Sequence, residues 1–234
     1  MEKVLIIGAS GLAREVLTLT RSGTSHTVFG VLDDGWADIA DSFTGVPVLG
    51  CVERAIEYVD VKLLVCVGSG VARERIVGRL AALGVGTDSY ATVIDPSVSD
   101  HGNSLIGPGT IILANTVLTA DVTVGSHVVV MPNVTLTHGN VIEDFATIAS
   151  GVALGGDVRI GRGAYIGMNA SVRQRVAVGA YAVLGMGAAL LSPLPEREVW
   201  AGVPAGRLPS PNPTPEVEVA QQVAPTAPTP ERSS

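Results

Sequence analysis

A strict six-residue period limits what this chain can fold into more than any other feature. Every sixth residue from Ile106 to Leu190 is Ile, Leu or Val, fifteen in succession. Four places after each stands a second series that is mostly small or β-branched, running from Thr110 through Ala146 and Ala182 to Leu194, with Asn140 its only amide. Glycine follows the aliphatic at 107, 125, 155, 161, 167, 179 and 185. Side chains alternate every two residues along a strand and recur every 3.6 in a helix, and neither yields a six. A hexapeptide repeat is the mark of a parallel β-helix. Each hexad supplies one flat side and one corner, with the aliphatic and the small residue pointing inward and glycine or a turn-former at the bend. Three hexads closing a triangular coil make an 18-residue rung, so 106–195 spans five rungs. At strand spacing the prism is ~24 Å tall.

Composition agrees with a thin repetitive wall. Hydrophobic residues are 47% of the 234, yet aromatics are only 4%, and 28 residues are glycine. The formal charge is −7, from 15 basic and 22 acidic residues, with no basic patch. That argues against nucleic acid as a partner. Cys51 and Cys66 have neither zinc spacing nor the makings of a disulfide framework, which points to a reducing compartment. No apolar run approaches the length of a membrane span, and no leader-like segment precedes the first strand. The expectation is a cytoplasmic protein without membrane insertion.

Residues 1–92 carry a different pattern, and residues 93–207 form the repeat. Val4–Ile7, Val28–Leu32 and Leu63–Val67 read as strands. Helical spacing follows in Leu12, Val16 and Leu19, over 52–58, and from Arg73 to Leu83. Strands alternating with helices predict a parallel sheet flanked by helices. The full expectation is an α/β, Rossmann-like N-terminal domain followed by a parallel β-helix. From 208 to 234 the chain turns to Pro, Thr, Ser, Glu and Gln, with seven of the 14 prolines, and reads as a disordered tail.

Gly8-Ala9-Ser10-Gly11 lies between a strand and a helix, where small residues let backbone amides approach a phosphate at the helix N-terminus. Ser10 and Ala13 replace the second and third glycines of the dinucleotide fingerprint, and a tight βα turn explains the segment equally well. Asp33 and Asp34 end the second strand, where acids hold ribose hydroxyls or base N–H groups; Asp-Asp-Gly is also good turn chemistry. Gly68 ends a third strand. Together Gly8, Ser10, Gly11, Asp33, Asp34 and Gly68 predict a nucleotide crevice. The four histidines, His26, His101, His127 and His138, do not cluster with carboxylates, so no metal site is expected. His138 stands in an irregular hexad, with Thr137 where glycine is common and Asn140 two residues on. Such local inconsistency marks working sites, although a solvated corner histidine reads the same way.

Three segments resemble bacterial sugar acyltransferases of the hexapeptide class, close to the N-acetyltransferases of nucleotide-linked amino sugars and the sialic acid O-acetyltransferases. They are Gly8 to Leu17, then Val67-Gly68-Ser69-Gly70 leading into Ala72-Arg73-Glu74-Arg75-Ile76, and the hexad array closing on Trp200-Ala201-Gly202-Val203-Pro204-Ala205-Gly206. The resemblance covers residues 1 to about 208. It implies a left-handed coil, a homotrimer, and acetyl-CoA as acyl donor. The acceptor it implies is a nucleotide-activated amino sugar, in surface glycan synthesis. Sugar O-acetylation and a catalytically weakened binding scaffold are the alternatives.

The resemblance makes His138 the general base, a task suited to imidazole. One rung beyond it, Gly156 becomes the oxyanion donor, though Gly155-Gly156 would equally serve a tight corner. Acetyl-CoA would lie in a groove lined by Gly156, Asn169, Gly185, Gly202, Pro204 and Ala205, with Arg207 either meeting its phosphates or simply solvated at the surface. One departure stands out. Relatives carry an acid after the histidine, and here that residue is Gly139. Either Glu143, Asp144 or a carboxylate from a neighbouring subunit substitutes, or the base works unassisted. A second histidine of the relatives, nine residues on, is Thr147 here.

Overall fold

The computed structural model describes residues 1–101 and 103–209. The expected tail lies almost wholly outside the described residues.

The N-terminal domain is a five-stranded sheet in the order β3-β4-β2-β1-β5. Its strands are β1 (Glu2–Ile7), β2 (His26–Leu32), β3 (Ser42–Phe43), β4 (Val46–Gly50) and β5 (Lys62–Val65). β1 pairs in parallel with both β2 and β5, and β2 with β4. Helix α1 (Gly11–Arg21) follows β1, and α2 (Gly70–Ala82) follows β5. Each starts on a serine whose hydroxyl accepts from a first-turn amide, Ser10 from Ala13 and Ser69 from Ala72. The β3–β4 hairpin was not anticipated, and Val52–Glu57 is a 3-10 helix.

From Val93 the chain winds into a three-sided prism of two-residue strands. Each pairs in parallel with the strand 18 residues on, as in Val117 with Thr135 and Thr123 with Val141. Face 1 begins at Val93–Ile94, face 2 at Ser99–Asp100 and face 3 at Leu105–Ile106. The in-phase aliphatics fill the interior as one buried column from Ile112 to Leu194. The last step shortens to 16 residues, with Val178 bridging Leu194 and Val183 pairing with Val199. An antiparallel hairpin, Val199–Ala201 with Gly206–Arg207, closes the coil.

The N-terminal domain docks on face 1. Outward-pointing Val93, Ile111 and Val129 join Val4, Ile6, Leu12, Ala13 and Val16 in a shared core. The start of α2 presses on the corner between faces 3 and 1, so closely that a Cβ on Gly70 would come 2.2 Å from the Phe145 carbonyl oxygen. Arg73 locks this joint with no exposed surface. Its guanidinium donates to the carbonyls of Val67 and Gly68 on its own domain, and to those of His127, Phe145 and Ala146 on the prism. Thr147 takes a further bond from it and donates to Gly68 O. Burial pulls the guanidinium down to about 9.

Candidate active site

The predicted crevice residues converge at the carboxyl ends of β2, β1 and β5, where the connections depart in opposite directions from β1. That is the place where open parallel sheets bind ligands. Ser10 Oγ donates to Cys66 O at 2.6 Å, tying the β1 loop to the end of β5. The Asp33 carboxylate accepts from Ala9 N and from Gly35 N, both at 2.7 Å, so it organises the loop. Asp34 turns aside into an ion pair with Arg79 at 2.6 Å, which holds its carboxyl below the usual range. Gly11 and Gly68 are exposed at the mouth.

His138 lies elsewhere, at the corner between faces 2 and 3, the vertex opposite the docked domain. It is exposed, and its ring makes no hydrogen bond among the described residues. The ring packs against Gly156: a Cβ there would approach Cε1 to 2.2 Å and Nε2 to 2.3 Å. Below it, Asp157 N donates to His138 O at 2.9 Å, which locks the two rungs together. The Gly156 N–H is unpaired among the described residues, whereas its neighbours Gly155 N and Asp157 N donate to Val172 O and His138 O. Elsewhere in the prism the corresponding N–H groups capture carboxylate oxygens: Ser126 N reaches Asp144 Oδ1 at 2.8 Å, and Arg162 N reaches Glu143 Oε2 at 3.0 Å. At two other corners the N–H at this turn position thus holds an anionic oxygen.

Those same bonds dispose of Glu143 and Asp144 as orienting acids for His138. Both stand at the face 3–face 1 corner, engaged with Arg159 and Arg162. Gly139 is left-handed, with φ +68, and a Cβ there would meet Asp157 Oδ1 at 2.4 Å. A carboxylate from the next rung thus occupies the space where the relatives' acid would begin.

The expected groove residues separate into two groups. Asn169 and Gly185 lie at the face 1–face 2 corner beside the closing hairpin, where Ala205 N donates to Ala189 O and Gly185 N to Trp200 O. Gly156 is at the other edge of face 2. Arg207 is paired with Glu198 at 3.5 Å. Sequence reasoning missed the buried role of Arg73 and Thr147; the apolar outward residues of face 1 were the available signal. Among the described residues no cluster of metal-ligating side chains occurs, and no helix is long and apolar enough to cross a membrane.

Residues 3–80 match the family model of the PglD N-terminal domain, and residues 103–138 match that of the bacterial transferase hexapeptide. The acetyltransferase domain of PglB from Neisseria gonorrhoeae, solved with acetyl coenzyme A, is 30% identical, with 88% of this chain and 99% of that one covered and a TM-score of 0.79. The chain belongs to the hexapeptide-repeat sugar acyltransferases. The family fold is a Rossmann-like domain followed by a left-handed parallel β-helix. PerB from Caulobacter crescentus, solved with CoA and GDP-perosamine, is 27% identical over 89% of this chain and 98% of that one, with a TM-score of 0.80. The UDP-N-acetylbacillosamine N-acetyltransferase of Bacillus subtilis is 30% identical over 117 residues, which is 49% of this chain and about half (52%) of that acyltransferase.

Proposed function

We propose that the protein transfers acetyl from acetyl-CoA to the amine of a nucleotide-linked sugar, for surface glycan synthesis in the cytoplasm. The observation that carries this reading is the His138 imidazole seated on Gly156, beside an unpaired N–H. The amine attacks the thioester carbon while His138 takes its proton. The Gly156 N–H donates to the oxygen that becomes negative in the tetrahedral intermediate. Collapse breaks the C–S bond, and the proton on His138 passes to the departing thiolate. Solved relatives that hold acetyl coenzyme A, or CoA with GDP-perosamine, support the donor and the acceptor class.

The same geometry supports a homotrimer. The crevice belongs to a domain docked on face 1, whereas His138 occupies the vertex opposite. In that arrangement a sugar held in the crevice would meet the His138 of a neighbouring copy. Face 2 offers a seat for that copy, because the residues preceding its inward aliphatics from Val117 onward, Val117, Thr135, Ala153, Ser171 and Ala189, are uncharged.

Thiol release from acetyl-CoA is the test, with UDP-, GDP- and dTDP-linked amino sugars as acceptors and hydroxyl sugars as controls. Wild type should release thiol only with an amine acceptor, and His138→Ala should abolish release while leaving the oligomer intact. Release with hydroxyl sugars alone would convert the reading to O-acetylation. No release from folded protein with any acceptor would overturn it.

A further inference from the structure

Asn140 is the one amide among the inward small residues, and the structure gives it a partner that bears on the chemistry. It is fully buried inside the prism, beneath His138. Its Nδ2 donates to the Gly155 carbonyl oxygen at 2.8 Å, and its Oδ1 is buried without a partner. An unpaired buried acceptor is a standing cost that an aliphatic residue would not incur.

The Gly155 carbonyl and the Gly156 N–H are two ends of one peptide plane. In a trans peptide they point in opposite directions, so a hand on one aims the other. Early in the coil the Gly107, Gly125 and Met131 carbonyls accept from the hydroxyls of Thr92, Thr110 and Thr116, whereas later turns close on themselves. From residue 137 onward, the turns starting at 137, 143, 149, 161, 167, 173, 179 and 185 each close with the fourth residue's N–H on the first residue's carbonyl. The turn 155–158 lacks that bond, and the Asn140 amide takes its place.

Resting on the acyl-transfer reading, we infer that Asn140 is a positioning residue for the oxyanion donor. By holding the Gly155 carbonyl from inside the prism it sets the tilt of the Gly156 N–H beside His138. The bond to the carbonyl also polarises that N–H toward stronger donation. The contact is made only with an oxygen that becomes negative in the transition state, so its loss falls on kcat and spares ground-state binding.

Asn140→Val supplies the residue that the same series carries at 134 and 152, and lets the turn close as its neighbours do. Asn140→Thr keeps a donor, as Thr110 does for the Gly125 carbonyl at 2.8 Å. In Asn140→Val, kcat should fall about tenfold or more, short of the loss from removing an oxyanion donor outright. KM for both substrates should stay within about twofold, with Tm unchanged or raised. Asn140→Thr should restore most of the rate. Wild-type kcat in Asn140→Val, or a rate loss matched by a fall in Tm, overturns the inference. If the wild type itself releases no thiol, the acyl-transfer reading has failed instead. The crystal structure of Asn140→Val then decides: a 155–156 peptide turned onto Val158 N–H supports the positioning, and an unmoved peptide overturns it.

Discussion

The imidazole of His138 rests on the bare α-carbon of Gly156, with the space for a methyl group already taken by ring atoms. The backbone at Gly156 is outside the left-handed region, so alanine there is conformationally acceptable and only the ring must move. Gly156→Ala should therefore fold normally and lose about a hundredfold in kcat, because a displacement of about 1 Å in a catalytic group is that costly. Thermal unfolding beside single-turnover kinetics checks it; near-native rates would show the ring contact to be incidental.

The domain joint depends on Arg73 in a way that no other residue can replace. Arg73→Met leaves buried carbonyls of both domains without their donor and should cost about 3 kcal/mol or more. Arg73→Lys should recover little, since a single ammonium cannot fork across the Gly68, His127 and Phe145 carbonyls. Urea unfolding is the measurement. A variant within about 0.5 kcal/mol of wild type would mean that the shared apolar core alone holds the domains.

His127 makes stability fall in mild acid. Its ring is buried between Tyr90, edge-on at 4.5 Å, and Phe145, stacked at 5.1 Å. Burial, with Arg73 and Arg162 adding to it and Asp144 opposing, lowers its pKa from 6.5 to about 4. The folded protein thus holds a neutral ring that unfolding would protonate. The contribution is fully present above pH 6.5 and is lost as pH falls toward 4, with a slope of up to about 1.4 kcal/mol per pH unit. His127→Phe, which places at this left-handed position the residue that Phe145 already places one rung on, should flatten that part of the urea-midpoint profile. An unchanged slope would assign the acid sensitivity to other groups.

Restoring the relatives' acid should not help this chain. In Gly139→Asp the new side chain starts against the Asp157 carboxylate, and two like charges meet at a left-handed residue. A loss of about 1 kcal/mol or more is expected, with no gain in turnover. Adding Asp157→Gly should return the stability. Faster turnover in the single variant would show that the imidazole lacks an orienting acid.

The coil was legible because a rung of 18 residues repeats in the sequence as strictly as in space. The parallel sheet was legible because β1, β2 and β5 are short apolar runs punctuated by Gly8, Asp33 and Gly68. The β3–β4 hairpin was not, since Ser42–Phe43 is too short to show alternation and Pro47 argues against a strand. Arg73 was illegible as a core residue: on a helix with polar neighbours, nothing local says that a second domain will cover it. The separation of Asn169 and Gly185 from Gly156 was available by counting hexads, since they begin different corners. The His138–Gly156 contact followed from the 18-residue step, whereas the hold of Asn140 on Gly155 needed the direction of one peptide plane.

The winding also works as a ruler. Up to Leu190 a residue's corner is set by its number modulo 18, so its address is rotational before it is positional. Splicing six residues between 140 and 154 would carry Gly156 one third of a revolution away from His138 and silence the pair. Splicing eighteen would keep both on one edge but part them by an added storey. Lengthening the column beyond 160 in whole multiples would leave the His138–Gly156 pair in place but carry the closing hairpin storeys away from it, so the pair sets the rotation and the far end sets the height.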